Sequence, residues 1–527
     1  MNRHATRIAA LVALAAMLLP MIGAIGLGSP AQAGPTRPNF IIIQTDDQDV
    51  ASIRYLPSVK AMAREGVTFR NFFVTTPICC PSRVSMLSGQ YAHNHRVLYN
   101  SAPGGGFPEF RKRPVERSNL AVWMQDAGYR TGFFGKFLNG YPQGAGPAWV
   151  GSGWTEWSAL LSGHYFDFVL NVNGAKVMYP DARDNSTIAI GARAGAMIRS
   201  TARSGEPFFV VISPQASHTP LYSEERYRGI FGGVTAPRTP DYAEADTRDK
   251  PEWVRQWGMM TYERGVAIDA NYRDRLETLM SVDAMLANLR RTLQATGQAG
   301  NTWIFFTSDN GWLAGAHNAE GKQSAYDASA KVPMVVFGPG APRGRTIPEL
   351  AQTIDIAPTV LNLAGLPIPR TVDGRSLAPF LRGEQPPRWR KYALFEYFRK
   401  QGGDEDDEAG ERSLTVMPED LDAAWDYDYD YFSVRPNRLG ALPPAYQGVR
   451  SQDYLYVQYP KTGEREFYDL ASDPYMLCNM LGDATDADCV ALGSPQPWPP
   501  LIVRLSRIAD VLSKCKGEVC RVNDGRK

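Results

Sequence analysis

NFIIIQ (residues 39–44) reads as one short apolar, β-branched run that ends abruptly in Thr45-Asp46-Asp47. A run of this length without apolar–polar alternation fits a strand buried on both faces, as in a parallel sheet covered by helices. Three more segments repeat it. YRTGFF (129–134) meets Gly135-Lys136, PFFVVI (207–212) precedes Ser217-His218-Thr219-Pro220, and TWIFFT (302–307) meets Ser308-Asp309-Asn310-Gly311. Between them lie helical patterns: Val282, Met285, Leu286, Leu289 and Leu293 share one face, and Gly297 supplies a stop. This alternation predicts an α/β domain from about residue 38 to about 375. Ligands of such sheets bind at the carboxyl ends of the strands, where all four polar clusters fall.

With 527 residues, 44% hydrophobic and 21% charged, the chain can bury a large core and carry a second, smaller domain. We place the α/β domain at 34–380 and an α+β subdomain at 381–527, where LFEYF, YLYVQY and EFYDL predict antiparallel strands and a helix follows near 500–513. Asp404–Glu411 reads as a solvated acidic loop, and Trp425–Phe432, alternating aromatic with Asp, as a wall for a substrate cleft. Asn185-Ser186-Thr187 is a glycosylation sequon. Lys+Arg of 56 against Asp+Glu of 55 leave a net charge of +1, so no overall field recommends nucleic acid or an anionic membrane. Any preference for anions must be local.

Arg3 and Arg7, the apolar run Ile8–Leu27 and Ala31-Gln32-Ala33 predict a signal peptide over 1–33 and a mature start near Gly34. The product would be secreted or otherwise extracytoplasmic, with no stable membrane span after cleavage. An uncleaved anchor is the alternative, weakened as a helix by Pro20. Export makes the six cysteines informative. Short spacings suggest Cys478 with Cys489 and Cys515 with Cys520 as disulfides; a zinc site there would lack nearby histidines. Cys79 and Cys80 are left over.

Asp46, Asp47, Asp309 and Asn310 offer only oxygen ligands, which suits calcium or magnesium rather than zinc. In ICCPSRVSMLSG (78–89), Pro81 fits the first turn of a helix, which puts Cys79 at the positive end, where anions are favoured and nucleophiles activated, and Arg83 one turn in. A buried structural thiol is the other reading of Cys79. Lys136, His218 and Lys322 lie near the same strand ends and together would surround a metal-bound nucleophile with positive charge, as an anionic ester requires.

Cys79-Cys80-Pro81-Ser82-Arg83, continuing to Gly89, resembles the C-x-P-S-R motif of type I sulfatases. Asp46-Asp47, Gly135-Lys136, His218-Thr219-Pro220, Ser308–Gly311 and Gly321-Lys322 with Tyr326–Pro333 match that family in order and spacing, and the likeness runs over roughly residues 38–480. The resemblance implies an alkaline-phosphatase-like fold and conversion of Cys79 to Cα-formylglycine by a formylglycine-generating enzyme. The aldehyde hydrate offers two hydroxyls, one to attack sulfur and one to expel sulfate by C–O cleavage. It further implies Asp46, Asp47, Asp309, Asn310 and the modified Cys79 around one divalent cation, calcium first and magnesium second. Asp309 would also take the nucleophile's proton, Arg83 hold the formylglycine, Lys136 and Lys322 grip sulfate, and His218 serve the leaving oxygen.

Leu138 stands where many sulfatases have a histidine assisting the second step. Phe133–Asn139 and Tyr91-Ala92-His93-Asn94-His95 instead resemble the branch holding N-acetylglucosamine-6-sulfatases and extracellular heparan sulfatases, with Asn139 and His317 as substrate-contact candidates. The implied substrate is a sulfated small molecule or glycan, with a carbohydrate or amino-sugar sulfate favoured by the branch and an aryl sulfate open. A phosphonate or phosphate monoester hydrolase with the same centre is the alternative, followed by a non-catalytic binding protein retaining the Cys79 thiol.

Overall fold

Strand β1 (Asn39–Thr45) is buried at every position and splits its side chains between two cores: Phe40 and Ile42 enter one, Ile41 and Ile43 the other. The unalternating run in the sequence therefore marks a strand covered on both sides. The computed structural model describes residues 37–163, 165–181, 183–400, 442–483, 485, 489 and 499–525. The expected signal peptide, Asp404–Glu411 and Trp425–Phe432 lie outside these residues.

The large sheet joins β1 to β2 (Val67–Phe73), β3 (Arg130–Gly135), β4 (Glu156–Ser162), β5 (Phe168–Val172), β6 (Ala175–Tyr179), β7 (Phe208–Ser213), β8 (Thr302–Ser308), β11 (Met334–Phe337) and β12 (Arg345–Gln352). Between β8 and β11 lies a two-stranded ribbon, β9 (Leu313–Ala314) with β10 (Glu320–Gly321). The order is β12-β2-β11-β8-β1-β7-β3-β4-β5-β6. The centre, β8-β1-β7-β3-β4, is parallel, whereas β11 and the β4-β5-β6 meander pair antiparallel.

Helices α1 (Pro57–Glu65), α4 (Ser186–Ser204) and α5 (Tyr262–Ala295) close one face, while α2 (Cys79–Ser88), α3 (Leu120–Asp126) and α6 (Ile356–Leu363) close the other. Gly297, at φ +70°, follows the end of α5 where the sequence placed a stop. Asn185 of the sequon is buried as the N-cap of α4, its Oδ1 accepting the Thr187 and Ile188 N–H groups.

The small sheet orders β13 (Ala393–Tyr397), β14 (Tyr446–Arg450), β15 (Tyr454–Gln458) and β16 (Arg465–Asp469), all antiparallel. Phe395, Leu455 and Val457 pack with Phe73 and Leu350 of the large sheet. On its other side Tyr456 and Phe467 meet Leu505, Ala509 and Leu512 of α7 (Pro499–Leu512). Disulfides join Cys478 to Cys489 and Cys515 to Cys520. No helix among the described residues is long and apolar enough to cross a membrane.

Candidate active site

Strands β1 and β8 run in register to Thr45 opposite Ser308, so Asp46 and Asp309 leave the sheet side by side. Consecutive side chains of an extended strand point to opposite faces. Asp46 and Asp47 reach one centre because the chain turns at Asp47, φ +58°, whose N–H donates to Asp309 Oδ1 at 3.2 Å. The loop after β7, which carries His218, is tied in by Asp46 N–H to Ala216 O (2.9 Å) and Ser217 N–H to Asp46 O (2.7 Å). A Cβ on Gly135 would lie 2.1 Å from Ser213 O, so glycine alone lets the end of β3 pass β7. Lys136 follows, with Nζ 2.8 Å from Asp46 Oδ2. Beyond the β9–β10 ribbon, Lys322 Nζ lies 2.9 Å from Asp47 Oδ1 and 3.0 Å from Cys79 Sγ.

Helix α2 starts at Cys79, its Sγ 3.6 Å from Asp46 Oδ1, and every residue of the helix is buried. Ile78 supplies no side-chain cap; Asn100 Oδ1 accepts the Cys80 N–H at 2.9 Å instead. One turn in, Arg83 donates from Nε to Asp309 Oδ2 (2.8 Å), from Nη2 to Asp46 Oδ2 (3.0 Å), and from Nη1 to Ser213 Oγ (2.6 Å) and Lys136 O (2.9 Å). Cys80 points away from this centre, into the apolar core, and its Sγ accepts the Asn139 N–H at 3.0 Å.

Burial alone would push the Asp46 carboxyl up, but Lys136 and then Arg83 outweigh it and hold it well below the usual range. Asp47 is held low in the same way, Lys322 and His218 opposing burial and Asp46. Burial and then Asp46 push Asp309 up to about 6 against Arg83, so among the three carboxyls Asp309 is the one suited to hold a proton. The expectation of an activated thiol at the helix start is not met. Burial and the Asp46 charge raise Cys79 well above its ordinary value despite Lys322 and Lys136, leaving it protonated and a poor nucleophile as a thiol.

Donor atoms of Asp46, Asp47, Cys79 and Asp309 lie within 4.8 Å of one another. Asn310 Nδ2 donates to Asp47 Oδ1 (2.5 Å) and Gly311 O (2.9 Å), while its buried Oδ1 has no hydrogen-bond partner. A buried amide oxygen left unsatisfied beside three carboxylates fits a hard, oxygen-liganded cation.

His218 Nδ1 lies 2.6 Å from Thr219 O, which can only accept, so Nδ1 carries a proton; Nε2 lies 3.9 Å from Asp47 Oδ2. Asn139 is half-buried and its Oδ1 lies 3.2 Å from Cys80 Sγ. His317 is wholly buried, Nδ1 at 2.6 Å from Glu244 Oε2 and the ring against Tyr326, with Nε2 lacking a hydrogen-bond partner.

The sequence reading missed Arg275 and Trp312: the Arg275 guanidinium covers the Trp312 ring at 3.7 Å, and its Nη1 donates to Asp47 O at 3.1 Å. The available signal was a charge on the buried stripe of α5, between Ile268 and Tyr272 on one side and Leu279 and Val282 on the other.

A model of the family described as Sulfatase matches residues 38–366, a span holding the whole centre. The chain belongs to the sulfatase family. This makes it a sulfuric ester hydrolase by family. Human N-acetylglucosamine-6-sulfatase is 31% identical over 523 residues, covering 96% of this chain and 90% of its own length. The Drosophila melanogaster extracellular sulfatase SULF-1 homolog is 34% identical over 366 residues, 66% of this chain but only 31% of that longer protein. Among solved structures, one in complex with its substrate D-glucosamine-2-N,6-O-disulfate superposes with TM-score 0.70, covering 93% of this chain and 99% of that one. At 21% identity that likeness speaks for the fold alone.

Proposed function

We propose that the protein is an exported sulfatase that hydrolyses carbohydrate or amino-sugar sulfate esters, with Cys79 converted to formylglycine by a formylglycine-generating enzyme before use. The observation that carries this is the place of Cys79: enclosed at the first position of α2, among three carboxylates and Lys322, as a thiol whose proton is held. A formylglycine hydrate there would supply the nucleophile, and a calcium or magnesium ion held by Asp46, Asp47, Asp309, Asn310 and that hydrate would supply Lewis acidity.

This chain's own groups do the rest. Arg83, Lys136 and Lys322 against Asp46 and Asp47, with Asp309 the carboxyl suited to hold a proton, leave a local cationic excess in a chain of net charge +1, which favours an anionic ester. Lys136, beside Asp46, and Lys322, beside Asp47, bind sulfate oxygens. Arg83 locks Asp46 and Asp309 at the start of α2. Asp309 takes the nucleophile's proton, in keeping with its raised affinity for one. His218 Nε2 serves the leaving oxygen, its ring oriented by the Thr219 carbonyl. Asn139, engaged with Cys80, and His317, wholly buried against Glu244, take no part in the steps of this reading. The named activity of the human relative on N-acetylglucosamine 6-sulfate supports the sugar class.

Mass spectrometry of the peptide carrying residues 71–83, from protein made in its native host, tests the reading. Formylglycine at Cys79 is expected; an intact thiol sinks it. Paired rates on an aryl sulfate and an aryl phosphonate should favour the sulfate, and a large phosphonate preference would move the protein to the phosphonate hydrolases.

A further inference from the structure

Two consecutive carboxylates meet at one cation only if the backbone between them leaves the extended form, and Asp47 does so at φ +58°. Left-handed backbone costs a residue with a side chain roughly 1–3 kcal/mol and persists only where its surroundings enforce it. Asp309 Oδ1 accepts the Asp47 N–H, and the side chain that holds the Asp47 carbonyl comes from α5. Arg275 Nη1 donates to the Asp47 carbonyl at 3.1 Å across 228 positions of sequence, and to Ser217 Oγ of the His218 loop at 3.4 Å. The guanidinium is itself immobilised: Nε donates to Asn271 Oδ1 at 2.9 Å, and its face lies on Trp312, two residues beyond Asn310. Nη2 is buried, makes no hydrogen bond, and lies 3.9 Å from Asp47 Oδ2.

A buried cation this close to a site for another cation is unfavourable on charge alone. Its contact is to the backbone of Asp47 rather than a salt bridge of normal length to the carboxylate, so its contribution is geometric. We propose that Arg275, backed by Trp312, is a positioning residue that holds Asp47 in its turned conformation and thereby sets the divalent-cation affinity of the site. The inference rests on the metal-site reading above. It adds that the spacing of the Asp46–Asp47 pair is maintained from α5 and from the β8 loop at once.

The test uses full-length protein with Cys79 converted, stripped by chelation and titrated calorimetrically with calcium chloride, alongside turnover of an aryl sulfate against calcium concentration. Arg275→Met and Arg275→Lys should each weaken calcium binding by about 10- to 100-fold, as loss of a group orienting a ligand does. Lysine keeps the charge and loses the planar fork, so it should not rescue. Saturating calcium should restore most of kcat, and the calcium-free melting temperature should stay within a few degrees of the parent. Trp312→Leu should shift calcium affinity in the same direction, and it decides the question if Arg275→Met does not fold. Unchanged or tighter calcium binding overturns the inference, as does turnover lost equally at every calcium concentration. If the parent protein takes up neither calcium nor magnesium, the metal-site reading itself fails.

Discussion

Arg83 Nε donates to Asp309 Oδ2 at 2.8 Å while Nη2 of the same guanidinium reaches Asp46 Oδ2 at 3.0 Å. One side chain therefore spans the ends of β1 and β8. Arg83→Lys keeps the charge but cannot serve both carboxylates, Ser213 and the Lys136 carbonyl together. Breaking a buried pair costs roughly 3–5 kcal/mol of stability, so the melting temperature should fall, and misaligned carboxylates should lower kcat/KM by about 10²-fold. Steady-state kinetics and calorimetry on the variant check both.

The neighbouring thiols should separate cleanly. Cys79→Ala abolishes turnover. Cys80→Ala leaves the Asn139 N–H without its sulfur acceptor, costing about 1–3 kcal/mol of stability while sparing most of kcat. Equal loss of activity from both would point to a paired-thiol function.

Chelation should act on stability as well as rate. With Asp46, Asp47 and Asp309 crowded together, a bound cation stabilises the folded chain by RT ln(1 + [L]/Kd), about 2.7 kcal/mol at a hundredfold excess over Kd. EDTA is expected to lower the melting temperature by several degrees and abolish turnover, with calcium restoring both. A melting curve indifferent to EDTA and calcium would count against the cation.

Acid sensitivity should come partly from His95. Burial, and then His93, lower it to about 3; its Nδ1 accepts the Val97 N–H and its Nε2 meets Ser85 Oγ, so it is neutral when folded. The unfolded chain takes up a proton near pH 6.5 that the folded one refuses. Stability from this residue is therefore complete above about pH 6.5 and falls with acidification, by up to ~1.4 kcal/mol per pH unit. His93 has the opposite sign. Burial opposes its charge, but Glu396 at 2.7 Å and the Cys515 carbonyl at 2.9 Å raise it, so its contribution is present below about pH 6.5 and is lost as pH rises through the raised value. Urea midpoints between pH 4.5 and 8 for His95→Gln and His93→Gln should show the acid limb flattened in the first and the neutral-to-alkaline decline flattened in the second.

The strands that carry chemistry were readable because each is wrapped on both faces and then stops: NFIIIQ, YRTGFF, PFFVVI and TWIFFT became β1, β3, β7 and β8, with their polar ends on one rim. The outer strands were harder. β6 is mostly exposed or half-buried, and β14 reads YQGVR, with an interior glycine and two polar residues, so neither announces itself without its partner. Arg275 hid in YRDRLE, which resembles a solvated helix face until Asp47 arrives from far away in sequence. Asn100 was equally silent, because the cap it gives α2 is a contact between a loop and a helix.

Cys79 has no solvent exposure, and the segment just after its helix is closed over late. His93 and Asn94 bond the carbonyl of Cys515, the former across 422 positions, and Tyr91 packs among Leu505, Ala509 and Leu512. Any enzyme that rewrites the sulfur of Cys79 must reach it while the chain is still open. With Cys79 converted as proposed, the order of synthesis would act as a clock: the motif emerges first and its cover 422 positions later, which would give a modifying enzyme the interval between the two. Speeding folding would shorten that interval, and the harm would appear as unconverted protein rather than as misfolded protein.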